Sequence, residues 1–222
     1  MSKFYKGNKG IPGVFQKIIN EIPLHDYYVE GFAGSGAIGK LLPAGTAKHF
    51  NDLNTDILQS INCTAGTTVL KTSLDILDLL QTLAVRSPET FIFLDPPYLL
   101  KSRNYRQLYE HEMSVLDHYN FLAAVQKLKI NCMIIHPQCE MYDHALQSWR
   151  TIQIKIRYNR KTSIEKLYMN YTRPRILQTS KYIGNDCWDR QRIKRKAQRF
   201  LNKGIHIPFP EPTYIQDIFN HR

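Results

Sequence analysis

Residues 91–100 read FIFLDPPYLL. The four apolar residues from Phe91 to Leu94 suit a strand buried on both faces. The run then ends in a carboxylate, two prolines and a phenol. Proline removes ladder hydrogen bonds and is tolerated where a strand has already reached the rim of its sheet. The stretch therefore predicts a core strand whose carboxyl end presents Asp95, Pro96, Pro97 and Tyr98. Asp95 is a strong acceptor, the Pro96 carbonyl is a second, and Tyr98 is a flat π surface. Two acceptors beside a stacking platform suit an exocyclic amino group on a planar base. Hydrogen bonds from both amine protons would draw the nitrogen lone pair out of ring conjugation and let it attack an electrophilic methyl group. A turn with a satisfied carboxylate is the plainer use of the same residues.

Outward from this strand, short apolar runs alternate with helical patterns. Strands are expected at 27–32 (YYVEGF), 47–50, 67–70, 91–94 and 130–135, and helices at 35–42, from about 54, at 73–84, 113–128 and 141–149. Such alternation implies a mostly parallel sheet covered on both faces. Two later runs, 151–158 and 166–171, come without a helix between them and read as an antiparallel edge hairpin. The expected architecture is an α/β, Rossmann-like sheet over 1–174, with a loop insertion near 99–112 and a basic C-terminal helical extension over 175–222.

In such a sheet ligands bind at the carboxyl ends of the strands, and the unusual residues fall there. The first strand leads into Glu30-Gly31-Phe32-Ala33-Gly34-Ser35-Gly36, a tight turn whose free N–H groups can hold a carboxylate. Many such turns only pack a helix on a strand. The second strand ends in Asn51-Asp52-Leu53-Asn54. A carboxylate about 20 residues after a glycine turn is placed to accept from ribose hydroxyls, although Asp52 and Asn54 are also competent helix caps. Asp75 follows the third strand with the same two uses.

The chain of 222 residues has 43% hydrophobic content, enough for a real core. No apolar run is long enough to span a membrane, and the polar, basic start (MSKFYKGNKG) argues against a secretory signal. Cys63, Cys132, Cys139 and Cys187 form no CxxC pair, so free thiols in a reducing cytoplasm are expected and a metal site is not. The net charge of +11 is uneven. Residues 1–149 hold 13 Lys/Arg against 14 Asp/Glu, whereas 150–222 hold 17 against 5. A neutral body with a basic last third suggests a polyanion-binding surface. Asn185-Asp186 can cap a helix running to Gly204. Ile193, Ala197, Phe200 and Leu201 would form its apolar stripe, and Arg190, Arg192, Lys194, Arg195, Lys196 and Arg199 would cover much of the rest.

Together these motifs resemble the Dam-type adenine-specific DNA methyltransferases. Asp95-Pro96-Pro97-Tyr98 is similar to the family's catalytic tetrad, and the Glu30–Gly36 turn to its E-P-F-x-G-x-G cofactor motif, with Gly31 at the usual proline. Tyr5-Lys6-Gly7-Asn8-Lys9 resembles K-W-x-G-G-K, Asn51–Asn54 resembles A-D-I-N, and Glu165-Lys166-Leu167-Tyr168-Met169-Asn170-Tyr171 resembles the E-x-L-x-x-N-Y strand of phage and bacterial members. The resemblance implies methyl transfer from S-adenosylmethionine to adenine N6 in DNA, with the target base flipped out of the duplex. It implies that Tyr5, Lys9, Glu30, Phe32, Ala33, Gly34, Ser35, Gly36, Asp52, Leu53 and Asp75 hold the cofactor: the glycine turn and Lys9 at its methionine part, Asp52 at the ribose and Asp75 at the adenine amine. The tetrad alone is shared with some RNA methyltransferases, so methylation of adenine or guanine in RNA is the alternative, and a catalytically inactive nucleic-acid-binding module is a second. Family members carry a sizeable recognition domain between the two motifs. Here about 60 residues separate Gly36 from Asp95, and the core elements consume them. Target recognition is therefore assigned to Lys101, Arg103, Tyr105 and Arg106 in the 99–112 loop, and phosphate contact to Arg190, Arg192, Arg195, Lys196 and Arg199.

Overall fold

The computed structural model describes residues 9–99, 110–158, 161–184 and 186–202. Its centre is a seven-stranded sheet: β1 (Tyr27–Glu30), β2 (Ala47–Asn51), β3 (Val69–Thr72), β4 (Thr90–Leu94), β5 (Asn131–Pro137), β6 (Arg150–Tyr158) and β7 (Lys161–Met169). The spatial order is β3-β2-β1-β4-β5-β7-β6. The first five strands run parallel, and β7 is antiparallel to both β5 and β6. The order reverses between β1 and β4, which places the binding crevice beyond their carboxyl ends. Because β7 runs backwards, its early residues reach that same rim: Glu165 lies opposite Pro137 at the end of β5.

Strand β4 decides the layering. All five of its residues are buried. Phe91 and Phe93 enter one core with Tyr28, Phe50, Met133 and Leu167, together with Ile18 and Ile19 of α1 (Phe15–Ile19). Ile92 and Leu94 enter the other, against α3 (Ile76–Leu83), α4 (Val115–Val125) and α5 (Glu140–Ala145). Full burial of each of these side chains contributes about 1.5–3 kcal/mol. The helix from Asn54 is α2 (Thr55–Ser60); Asn54 caps it, its Oδ1 accepting from the Ile57 N–H. Helix α4 starts on a reciprocal capping box between Ser114 and Asp117.

The helix expected over 35–42 is not formed. Its place is taken by turns and a single 3-10 turn, Gly39–Leu41. Within the span the backbone is left-handed at Gly36 (φ 63°), which a continuous right-handed helix does not permit, and it is left-handed also at Gly34 (φ 47°) just before it. The edge hairpin forms with longer arms than expected. After it, residues 175–184 return along the core: Leu177 bridges Pro23, and Gln178 bonds to His25 and Thr46. Helix α6 (Cys187–Asn202) follows, close to the expected span. Asp186 accepts from the Asp189 N–H at 2.8 Å, while Asn185, the other expected cap, and the tail from 203 lie outside the described residues.

Candidate active site

One side chain ties three strand ends together. Asn51, buried at the end of β2, donates from Nδ2 to the carbonyls of Gly31 (3.2 Å) and Leu74 (3.0 Å). Its Oδ1 accepts from the Leu74 N–H (2.9 Å) and the Thr72 hydroxyl (2.8 Å). Both donors and both lone pairs of the amide are thereby used. The neighbouring Asp52 ties the glycine turn to this frame, its carboxylate accepting from the N–H groups of Gly34 (2.7 Å) and Asn54 (2.9 Å). Each Asp52 oxygen then holds one hydrogen bond and retains acceptor capacity toward the cleft. Asp75 caps α3 through the Leu77 N–H at 2.8 Å. Capping and ligand contact are therefore compatible at both acids.

The backbone at Gly31 lies close beneath the side chains packed over it. A Cβ built there would lie 2.5 Å from Leu94 Cδ2 and 3.1 Å from Ile76 Cδ1. A proline would carry that Cβ into the side chain of the residue just before Asp95.

A cleft of about 240 Å³ opens over these turns. Lys9, Glu30, Gly31, Phe32, Ala33, Gly34, Ser35, Asp52, Leu53 and Asp75 line it, as do Asp95 and Pro97. Gly36 does not line it; it packs beneath, against Phe50 and Ile61. Phe32 meets Phe121 edge-on at 5.8 Å. The far wall is Glu110, His111, Glu112, Met113 and Asp117. Sequence reasoning placed 99–112 on the nucleic-acid side, yet its last residues border the same cleft as the glycine turn. Among the described residues, seven acidic side chains line the cleft beside one lysine; with Glu30 held neutral by its burial, the other six make a setting that suits a ligand carrying positive charge and hydroxyl donors.

Glu30 is buried. Its Oε2 accepts from the Gly39 N–H (2.9 Å) and the Tyr28 hydroxyl (3.1 Å). Burial outweighs those bonds and pushes its carboxyl up to about 8, so it carries a proton at neutral pH.

Asp95 is half-buried at the end of β4, and Pro96 is buried beside it. The Lys9 ammonium lies 2.9 Å from Asp95 Oδ1, donates to the Tyr98 hydroxyl at 2.6 Å and stands 3.5 Å from Glu165 Oε2. Tyr98 in turn donates to Glu165 Oε1 at 2.7 Å. Behind Tyr98 lies His136, edge-on at 5.4 Å and stacked on Tyr142 at 3.9 Å. Burial holds His136 neutral, down to about 3. Asp95 is pushed up to about 6 by burial, with Lys9 opposing and Glu165 adding to the rise.

Two residues of the late-strand motif have evident work that sequence reasoning left undefined. Asn170 accepts from the Cys132 N–H and donates to the Ile130 carbonyl, fixing β7 on β5. Glu165, fully buried, closes the Lys9–Tyr98 network. A signal for it exists in the sequence. Glu165 shares strand parity with Leu167 and Met169, both buried, so an acid in that row requires a partner.

On α6, Arg192, Arg195, Lys196 and Arg199 are exposed and Arg190 is half-buried. Ala197 is buried and Ile193 half-buried, in line with the expected stripe. Arg192 pairs with Asp189 at 2.6 Å on the helix surface, an ion pair of small energetic weight. Tyr5, Lys101, Arg103, Tyr105 and Arg106 lie outside the described residues. Among the described residues no cluster of His, Cys, Asp or Glu is placed to hold a metal, and no helix is long and apolar enough to cross a membrane.

No family model matches the sequence, and no curated protein matches it. Solved structures do match the fold. A SAM-dependent methyltransferase from Agrobacterium tumefaciens superposes with a TM-score of 0.50 at 11% identity, over 71% of this chain and 60% of that one. The fold is the Rossmann-like methyltransferase fold. Also similar are TrmK of M. capricolum in complex with S-adenosyl-homocysteine (TM-score 0.49, 9% identity, 93% of each chain) and a dimethyladenosine transferase from Plasmodium falciparum (0.46, 14%, 95% of this chain and 87% of that one).

Proposed function

We propose that this protein transfers a methyl group from S-adenosylmethionine to the N6 amine of adenine in DNA. The observation that carries the reading is the shared cleft. The glycine turn, Asp52 and Asp75 line the same space as Asp95 and Pro97, so a cofactor on the strand ends and an amine at Asp95 would lie next to each other.

The residues fit the cofactor. Asp52 has acceptor capacity for ribose hydroxyls, Asp75 for an adenine amine, and the acid-lined walls suit a sulfonium and an ammonium group. When bound, S-adenosylmethionine supplies an electrophilic methyl group. The protein's own residues supply position and polarisation. Asp95 and the Pro96 carbonyl accept from the two amine protons, and Tyr98 offers its ring face to the base. Asn51 keeps the ends of β1, β2 and β3 in register, and the Gly31 N–H bond to the Phe93 carbonyl at 3.0 Å joins that frame to β4, which carries Asp95. A base inside a duplex cannot present its amine in line, so it is extruded before transfer. In this reading the core spans 1–174, and α6, within the basic part 175–222, lies along the phosphate backbone.

The test of substrate class is label incorporation from S-adenosylmethionine into duplex DNA, single-stranded DNA and RNA in parallel. Preferential incorporation into DNA supports the reading. Incorporation into RNA alone replaces it with the RNA alternative, and none into any nucleic acid with intact cofactor binding refutes it.

A further inference from the structure

The buried pair Lys9 and Glu165 stands against the tetrad rather than open to the cleft alone. We infer that Lys9 and Glu165 are positioning residues for the methyl-transfer step, holding Asp95 and Tyr98 in one fixed arrangement and setting the charge on Asp95. The inference rests on the methyl-transfer reading and deepens it.

Lys9, Tyr98 and Glu165 close a ring, and Asp95 is joined to it through Lys9. Among the described residues the Lys9 ammonium faces three oxygens: Tyr98 Oη at 2.6 Å, Asp95 Oδ1 at 2.9 Å and Glu165 Oε2 at 3.5 Å. Tyr98 returns a hydrogen bond to Glu165 Oε1 at 2.7 Å. Glu165 is fully buried and Lys9 is 3% exposed, so both charges are withdrawn from water. A buried charge is tolerated only when paired, and a buried pair fixes geometry more than it stabilises the fold. Here the fixed groups are an acceptor for the amine and the ring for the base. Glu165 is the group that fastens Tyr98 Oη to β7, while the edge of the Tyr98 ring rests on His136 of β5 at 5.4 Å.

The ring also sets a balance of charge. Among the described residues, Asp95 is faced by Lys9 from the N-terminal segment and lies within electrostatic reach of Glu165 on β7. Glu30 of β1 and Tyr142 of α5 are within electrostatic reach, and neutral His136 of β5 lies behind Tyr98. Lys9 and Glu165 act on Asp95 in opposite senses: the ammonium favours the carboxylate and the second acid opposes it.

The experiment uses the full chain and two near-isosteric variants, Glu165→Gln and Lys9→Met. The first readout is the pH profile of single-turnover methyl transfer to duplex DNA. The second is titration of the Asp95 carboxyl by carbon-13 NMR, which needs no reaction. Glu165→Gln is expected to move the acidic limb, and the Asp95 titration, to lower pH by about one unit; Lys9→Met is expected to move both upward by a similar amount. Displacement in the same direction by both variants, or by neither, overturns the inference. If Lys9→Met does not fold, the sign for Glu165→Gln decides alone. If the wild type transfers no methyl group, the functional reading fails, and the NMR titration still settles whether Lys9 and Glu165 control Asp95.

Discussion

Replacing Asp95 tests the proposed chemistry at its centre. The amine of the target base has two protons, and in the proposed mechanism they meet two acceptors, the Asp95 carboxylate and the Pro96 carbonyl. In Asp95→Ala one acceptor is gone. A charge-assisted hydrogen bond in a water-poor site is worth about 3 kcal/mol in the transition state, so the rate should fall by about a hundredfold or more. Asp95→Asn keeps an acceptor oxygen but no charge, and neutral bonds are about half as strong. Its expected loss is about tenfold, from a difference near 1.4 kcal/mol. The fold should survive both changes, because Lys9 keeps Tyr98 and Glu165 as partners. Cofactor affinity should stay within about threefold, since Asp52, Asp75 and the glycine turn are untouched. The assay is single-turnover transfer at saturating enzyme, paired with calorimetric titration of S-adenosylmethionine. An alanine variant within a few-fold of wild type would remove Asp95 from the mechanism. A variant that loses cofactor binding and rate together would place Asp95 in the cofactor site instead.

Asp52→Ala should weaken S-adenosylmethionine binding by about tenfold to a hundredfold, because the ribose hydroxyls would have no carboxylate to bond. Calorimetry checks this, and an unchanged dissociation constant would reduce Asp52 to a strut between Gly34 and Asn54. Glu30→Gln should flatten the pH dependence of stability. The wild-type carboxyl titrates near 8 when folded against the ordinary carboxylate range when unfolded. The native state therefore binds the extra proton between those values, and stability falls as pH rises from about 4.5 through about 8. Thermal melts at pH 6 and pH 8.5 should differ more for wild type than for the variant. Replacing Arg192, Arg195 and Arg199 together by Gln should weaken DNA binding for all sequences alike. The slope of log affinity against log salt should decrease by about 0.9 for each phosphate that the variant no longer neutralises. Loss of sequence discrimination with an unchanged slope would make α6 the reader of bases.

Most of the sheet is legible because its strands are short apolar runs separated by turn residues. The two-sided burial of β4 follows from Phe91-Ile92-Phe93-Leu94 without any partner being known. The crevice follows too, because Asp52, Asp75 and Asp95 each stand where a run stops. The stretch 35–42 misleads: its composition permits a helix, but the backbone is left-handed at Gly36 and only a 3-10 turn, Gly39–Leu41, follows. Helix α1 is a five-residue piece too short to give a periodic signal, although Ile18 and Ile19 are wholly buried. The frame held by Asn51 is illegible for a different reason. Its four hydrogen bonds go to three residues at two strand ends, Gly31 after β1 and Thr72 and Leu74 at the end of β3, about 20 positions away on either side, and one asparagine in a sequence does not reveal which carbonyls it will meet. Lys9 shows the same limit. Its motif points to the cofactor, while its ammonium in the structure lies on Asp95, Tyr98 and Glu165, the last of these 156 positions away.

The most direct measurement is the chemical identity of the methylated product. Unmethylated duplex DNA is incubated with the protein and S-adenosylmethionine bearing a labelled methyl group, digested to nucleosides and separated by liquid chromatography with mass detection. The expected result is label in N6-methyl-2′-deoxyadenosine, abolished in Asp95→Ala. Label in a methylated cytosine, or in no nucleoside while the cofactor still binds, would contradict the assignment of Asp95 and Pro96 as the acceptors of an adenine amine.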